Sequence, residues 1–108
     1  MQIDLPDFEN FNSFIQSNKA VVVYFSTPNC NVCKVLKPKV MELLADDFEN
    51  FVFGYVNCDA NKVIAAQNSV FTVPTLIVYV EGKEVLRKSR NIGLAELNDE
   101  LSRISSFL

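Results

Sequence analysis

The apolar positions of this chain change period several times, and each change marks an element. Ala20 to Phe25 is a continuous apolar run of strand length. It predicts a strand buried on both faces, as in a parallel sheet. Ahead of it, Gln2 to Asp4 predicts a short first strand. Asp7 can then N-cap a helix whose Phe8, Phe11, Phe14 and Ile15 share one face, ending at Asn18-Lys19. After the apolar run, Ser26-Thr27-Pro28-Asn29 breaks the chain. Leu36, Val40, Leu43 and Leu44 then form a helical stripe from about Asn31 to about Phe48. Pro38 lies inside that helix. It removes the hydrogen bond to the Lys34 carbonyl and predicts a kink.

Phe51 to Asn57 is the next strand, followed by a short, weak helix over Asp59 to Asn68 that contains Val63 and Ile64. Thr75 to Val80 is β-branched and apolar. Glu81-Gly82-Lys83 is a tight-turn signal, so Glu84 to Lys88 should pair antiparallel with the preceding strand. Leu94, Leu97, Leu101 and Ile104 repeat at helical spacing to the end. The order β-α-β-α-β-α-β-β-α predicts an α/β protein. Its single mixed sheet has central parallel strands, a C-terminal antiparallel hairpin and helices on both faces. Residues 1–108 contain no repeat, low-complexity stretch or linker, so one domain is expected.

Composition narrows the function. With 49% apolar and 21% charged residues, the chain can build a core and is not of the disordered class. A net charge of −3 with no basic stripe predicts neither nucleic-acid nor membrane binding. No apolar stretch approaches the ~18 residues of a spanning helix. Met1 to Asp7 lacks the cationic and apolar regions of a signal peptide, so a cytoplasmic address is expected. Three cysteines, an odd number, fit a reducing compartment. The absence of histidine excludes a Cys-His or Ser-His arrangement within this chain.

The chemistry is carried by Cys30-Asn31-Val32-Cys33, at the start of the long helix. Two cysteines three apart in a helix lie on one face, with Cβ atoms roughly 5–6 Å apart. A disulfide needs about 3.5–4.5 Å, so a small adjustment closes or opens the ring. Closing so short a loop would stabilise the fold by only roughly 2 kcal/mol, a weak reason for the pair. At a helix N-terminus the unpaired N–H groups and the dipole favour negative charge, which lowers the pKa expected for Cys30. Cys30 is therefore the expected nucleophile and Cys33 the resolving thiol. Lys34 and Lys37, at i+4 from each cysteine, read more simply as solvated lysines.

These residues, with others along the chain, resemble the thioredoxin family. The matching positions are the strand Val21 to Phe25, Cys30-Asn31-Val32-Cys33-Lys34, Pro38, Asn57 and Asp59. They continue with Phe71-Thr72-Val73-Pro74-Thr75-Leu76, Gly82 and Ile92-Gly93. The resemblance covers essentially the whole chain and implies a thioredoxin fold. It also implies a cis Pro74 beside the CxxC motif, with Val73 offering backbone hydrogen bonds to a substrate strand. Asn29, Asn31, Val32, Ile92 and Gly93 would border the same substrate groove. The implied activity is reduction of protein disulfides through a redox-active Cys30-Cys33 pair, with no bound cofactor and no metal. Electrons would come from a separate thioredoxin-reductase-like donor, and the chain would be a monomer.

The sequence also departs from the family. Asn31-Val32 replaces the common Gly-Pro, and Asn29 replaces the usual Trp. Tyr24 and Tyr55 stand where the family usually has a buried Asp and a nearby Lys. A tyrosine is neutral at pH 7 and a poor base for Cys33, while burying it avoids a buried charge. Cys58 reads as a small buried hydrophobe, or as a residue flanking the partner groove at the end of a central strand. The alternative to an oxidoreductase is a protein-binding adaptor with weak or vestigial redox activity. A metal or iron–sulfur protein is a third class, which three cysteines without histidine serve poorly.

Overall fold

The computed structural model describes residues 2–108. In chain order the elements are β1 (Gln2–Asp4), α1 (Phe8–Ser17), β2 (Ala20–Ser26), α2 (Asn31–Asp47), β3 (Val52–Asn57), α3 (Lys62–Gln67), β4 (Thr75–Val80), β5 (Lys83–Ser89) and α4 (Leu94–Ser105). One sheet runs β1-β3-β2-β4-β5. The β1, β3 and β2 strands are parallel, whereas β4 is antiparallel to both β2 and β5. This is the mixed sheet expected from the element order. The central strand is β2, however, and β3 lies one place from the edge, which corrects the expectation that Cys58 follows the central strand.

Every residue of β2 is buried, as its unbroken apolar run requires. Its side chains alternate between two cores. Val21, Val23 and Phe25 meet Phe11, Phe14 and Ile15 of α1 and Ile64 of α3. Val22 and Tyr24 meet Val40 and Leu44 of α2 and Leu97 and Leu101 of α4. Helices thus cover both faces. The fit of α1 is close at Gly54, where an added Cβ would lie 2.6 Å from the Phe14 ring. The hairpin turn is the two-residue Glu81-Gly82, both with positive φ, at 52° and 81°. That geometry matches the twist of the flanking strands.

Local hydrogen bonds explain where helices begin. Asp7 accepts from the Asn10 N–H at 2.8 Å and caps α1. Phe8 remains partly exposed, with its ring stacked on Phe11. The short helix starts at Lys62 rather than Asp59. Asn57 Oδ1 accepts from the N–H groups of Asp59 at 3.0 Å and Ala60 at 3.3 Å, a local turn that competes with helix. By contrast, α2 continues through Pro38 to Asp47.

Register brings the chemistry to one edge. Ser26 pairs with Asn57, Phe25 with Thr75, and Thr75 with Ser89. The loops that follow Ser26, Asn57 and Ser89, and the loop that precedes Thr75, therefore emerge together.

Candidate active site

Cys30 is the N-cap of α2, with extended backbone at φ −83° and ψ 104°. Its N–H donates to Thr27 O at 3.2 Å, closing the turn after β2. Its carbonyl accepts from the Lys34 N–H at 3.1 Å, the first helical bond. Its Sγ accepts from the Cys33 N–H at 3.2 Å, so sulfur fills the role that a Ser or Asp oxygen usually takes at a cap. Cys30 and Cys33 are joined as a disulfide with Cα atoms 5.2 Å apart, inside the usual range. Cys30 is half-buried and Cys33 is 2% exposed.

Two tyrosines stand behind the pair. Tyr24 and Tyr55 are register partners on β2 and β3. The Tyr24 hydroxyl donates to the Cys33 carbonyl at 2.9 Å, in a fully buried position. Burial, helped by nearby Tyr55, holds the Tyr24 hydroxyl well above the ordinary tyrosine range. The Tyr55 hydroxyl accepts from Ser26 Oγ at 3.0 Å. Lys37 Nζ sits 4.3 Å from the centroid of the Tyr55 ring, a cation–π contact that takes this lysine away from simple solvation.

The loop before β4 reaches the same sheet edge. The Val73-Pro74 peptide bond is cis. Pro74 is buried, and Thr75 Oγ1 donates to Thr72 O at 2.7 Å to close the bend. Among the described residues no backbone hydrogen bond involves the Val73 N–H or C=O. Phe71, three residues before Pro74, is 84% exposed.

A groove of about 840 Å³ runs between the start of α2 and the β5–α4 loop. Of the residues expected there, Asn31, Val32, Ile92 and Gly93 line it. Asn29, Val73 and Pro74 are not part of its lining. Gly93 N-caps α4 at φ −82°, and an added Cβ there would meet nothing within 4 Å. The fold itself does not demand glycine at this position. Sequence reasoning missed the remaining seven lining residues, among them the apolar Val35, Leu36 and Leu94 and the charged Lys39, Arg90 and Glu96. A signal existed for Val35. Val32 and Val35 are 62% and 61% exposed, an apolar pair at i,i+3 on the face of α2 away from its buried stripe.

Cys58 reaches the same sheet edge but not the same face. Its N–H donates to Ser26 O at 2.8 Å, and its side chain rests on the α1/α3 core. Cys30 rests on the α2/α4 core. Cys58 therefore does not flank the groove as expected. The reason is strand parity, since it follows Val56 by two and shares its face. Burial, with Asp59 beside it, pushes its thiol up to about 11.

A protein-family model described as Thioredoxin matches residues 4–103. The chain is 38% identical over 96 residues to a thioredoxin of Chlamydia caviae, covering 89% of this chain and 88% of that one. It is 34% identical over 95 residues to the thioredoxin-like protein YdfQ of Bacillus subtilis, covering 88% and 84%. The X-ray structure of Fasciola hepatica thioredoxin superposes with a TM-score of 0.85 at 30% identity, covering 95% of this chain and 98% of that one.

Proposed function

This chain belongs to the thioredoxin family and is a thiol–disulfide oxidoreductase acting on protein disulfides, and from that premise we propose how its residues divide the reaction. The observation that carries the assignment is the unequal exposure of two sulfurs at one helix terminus. Cys30 is reachable, and Cys33 is 2% exposed. In the reduced protein the N-terminal amides of α2 favour the Cys30 thiolate. That thiolate attacks one sulfur of the partner's disulfide. An S–S bond to Cys30 forms, the partner's S–S bond breaks, and the other partner sulfur leaves as a thiolate that takes up a proton.

Cys33 then loses its proton and attacks Sγ of Cys30. The Cys30–Cys33 disulfide forms and the second partner sulfur departs as a thiol. Two electrons have moved to the partner, and two thiols have become one disulfide on this chain. Tyr24 is a positioning residue in this scheme, because its hydroxyl is committed to the Cys33 carbonyl. Val73 offers its free N–H and C=O to the partner backbone, while Asn29, Asn31, Val32, Pro74, Ile92 and Gly93 border the segment that brings the disulfide. The cysteine pair is itself the redox centre, without a bound prosthetic group. A separate reductase returns it to the dithiol, and the protein works as a monomeric single domain in the cytoplasm.

Insulin reduction with a chemical reductant tests the activity. Turnover is expected in the native chain and in no chain lacking Cys30. An intact chain that leaves insulin oxidised would overturn the reading. The direction of electron flow is read from the reduction potential. A value near about −270 mV marks a reductant and one near about −120 mV an oxidant.

A further inference from the structure

The groove carries a charge pattern that the exchange chemistry does not use. Its floor is apolar, built from Val32, Val35, Leu36, Ile92 and Leu94. Three charged side chains border it, namely Lys39, Arg90 and Glu96. Glu96 is ion-paired with Lys88, which also reaches Glu100 at 2.9 Å. One lysine serves both carboxylates, so that trio keeps a net charge of −1 beside the two cations Lys39 and Arg90. Lys39 and Arg90 make no salt bridge among the described residues. On a chain of net charge −3, the groove border itself therefore carries two cations that form no ion pair against one carboxylate.

The Arg90 backbone is fixed at that groove, while its side chain is exposed. Its φ of 63° is uncommon for a residue with a side chain. Its N–H donates to the Pro74 carbonyl at 2.8 Å. That bond ties it to the loop flanking the cysteine pair. Lys39 is placed differently. It also borders a second depression with Glu42, Asp46 and Asp47. Those carboxylates weaken the positive field at its end, so the field is strongest beside Arg90.

We infer that the groove selects partner segments whose disulfide is flanked by an apolar residue and, toward Arg90, by an aspartate or glutamate. The inference rests on the exchange reading above and deepens it to a class of substrate sequence. The apolar residue is buried on Val32, Val35 and Ile92. The carboxylate accepts charge-assisted hydrogen bonds from the Arg90 guanidinium. Rim charges of this kind act mainly on encounter rate and partner choice, and salt screens them.

The test uses three disulfide-linked peptides that differ only in carrying Glu, Gln or Lys beside the apolar position. Second-order rate constants for their reduction by the full, pre-reduced chain are measured at low and high salt. The expected order is Glu, then Gln, then Lys, spread about three- to tenfold at low salt and narrower at high salt. Arg90→Glu should invert the order and Arg90→Gln should flatten it. Circular dichroism identifies a variant that fails to fold, and the native chain's own order decides the matter without either variant. Equal constants for the three peptides, or an order that Arg90→Glu leaves intact, would overturn the inference. Insulin reduction by the native chain separates the two levels. No turnover sinks the exchange reading and this inference together. Turnover without peptide discrimination sinks only the inference.

Discussion

Cys30 and Cys58 each lie just beyond a parallel strand at one edge of the sheet, Cys30 after β2 and Cys58 after β3. Cys30 caps a 17-residue helix and receives an N–H from Cys33. Cys58 lies in a turn, rests on the opposite core, and has Asp59 as its charged neighbour. One sulfur therefore sits where backbone dipoles favour an anion, and the other where burial and a carboxylate oppose one. Nearness to the active edge is not what makes a thiol reactive here. Field and solvation do, and neighbouring elements set both.

The largest effect expected from breaking this contrast is at the pair itself. Cys30→Ser should lose turnover entirely, whereas Cys33→Ser should still attack and accumulate mixed disulfides visible on non-reducing gels. If Cys30→Ser traps partners better, the two roles are reversed. Next in size is the difference in labelling between the thiols of the reduced protein. With its thiol pushed up to about 11, Cys58 should be only about one part in ten thousand thiolate at pH 7. Its alkylation should speed up about tenfold per pH unit until pH approaches that value. Mass spectrometry of a timed alkylation should find Cys30 modified first. Cys58→Ala should keep insulin turnover, and its loss would make Cys58 a third redox participant.

Tyr24 sharpens the contrast from behind Cys33. Tyr24→Phe removes the hydroxyl's bond to the Cys33 carbonyl, which keeps its helical partner, and should cost about 0.5–1.5 kcal/mol in denaturant unfolding. Tyr24→Asp should destabilise as well, because it buries an ionisable group. It should also speed release of the mixed disulfide near pH 7, and unchanged kinetics in a folded variant would show that water already serves. The tyrosines also set an alkaline limit. Tyr24 and Tyr79 are both raised by burial, so near pH 10 the unfolded chain gives up protons that the folded chain keeps. Stability should therefore fall as pH rises above about 10, and less steeply in Tyr24→Phe. The smallest change in stability is expected at Gly93. An added methyl meets nothing there, and reduced unfolded-state freedom offsets the weaker cap, so Gly93→Ala should shift stability by no more than about 0.5 kcal/mol. Slower reduction of protein disulfides in that variant would then report on docking alone.

Much of the fold was legible because its patterns are local. The unbroken apolar run of β2 does require burial on both faces, and the Glu81-Gly82 turn does fold the β4–β5 hairpin. The late start of α3 was hidden because Asn57 diverts two N–H groups into a turn, a competition that propensity does not weigh. In the site, the CxxC pair was legible from spacing and the cis Pro74 from family resemblance. Arg90 and Lys39 were not. An isolated cation has no period, and only the meeting of α2 with the β5–α4 loop turns these two into one border.

The sequence alone determined the element order, the CxxC pair at a helix start, and an acidic chain without imidazole. Each depends on residues close together in the chain, where period, turn chemistry and spacing act directly. Only the tertiary structure decided that β2 is central, that Cys58 faces away from the groove, that Tyr24 holds the Cys33 carbonyl, and that Arg90 is tied to Pro74. These facts join residues up to tens of positions apart. Strand order, register and parity set them together, and no short window of sequence contains that information.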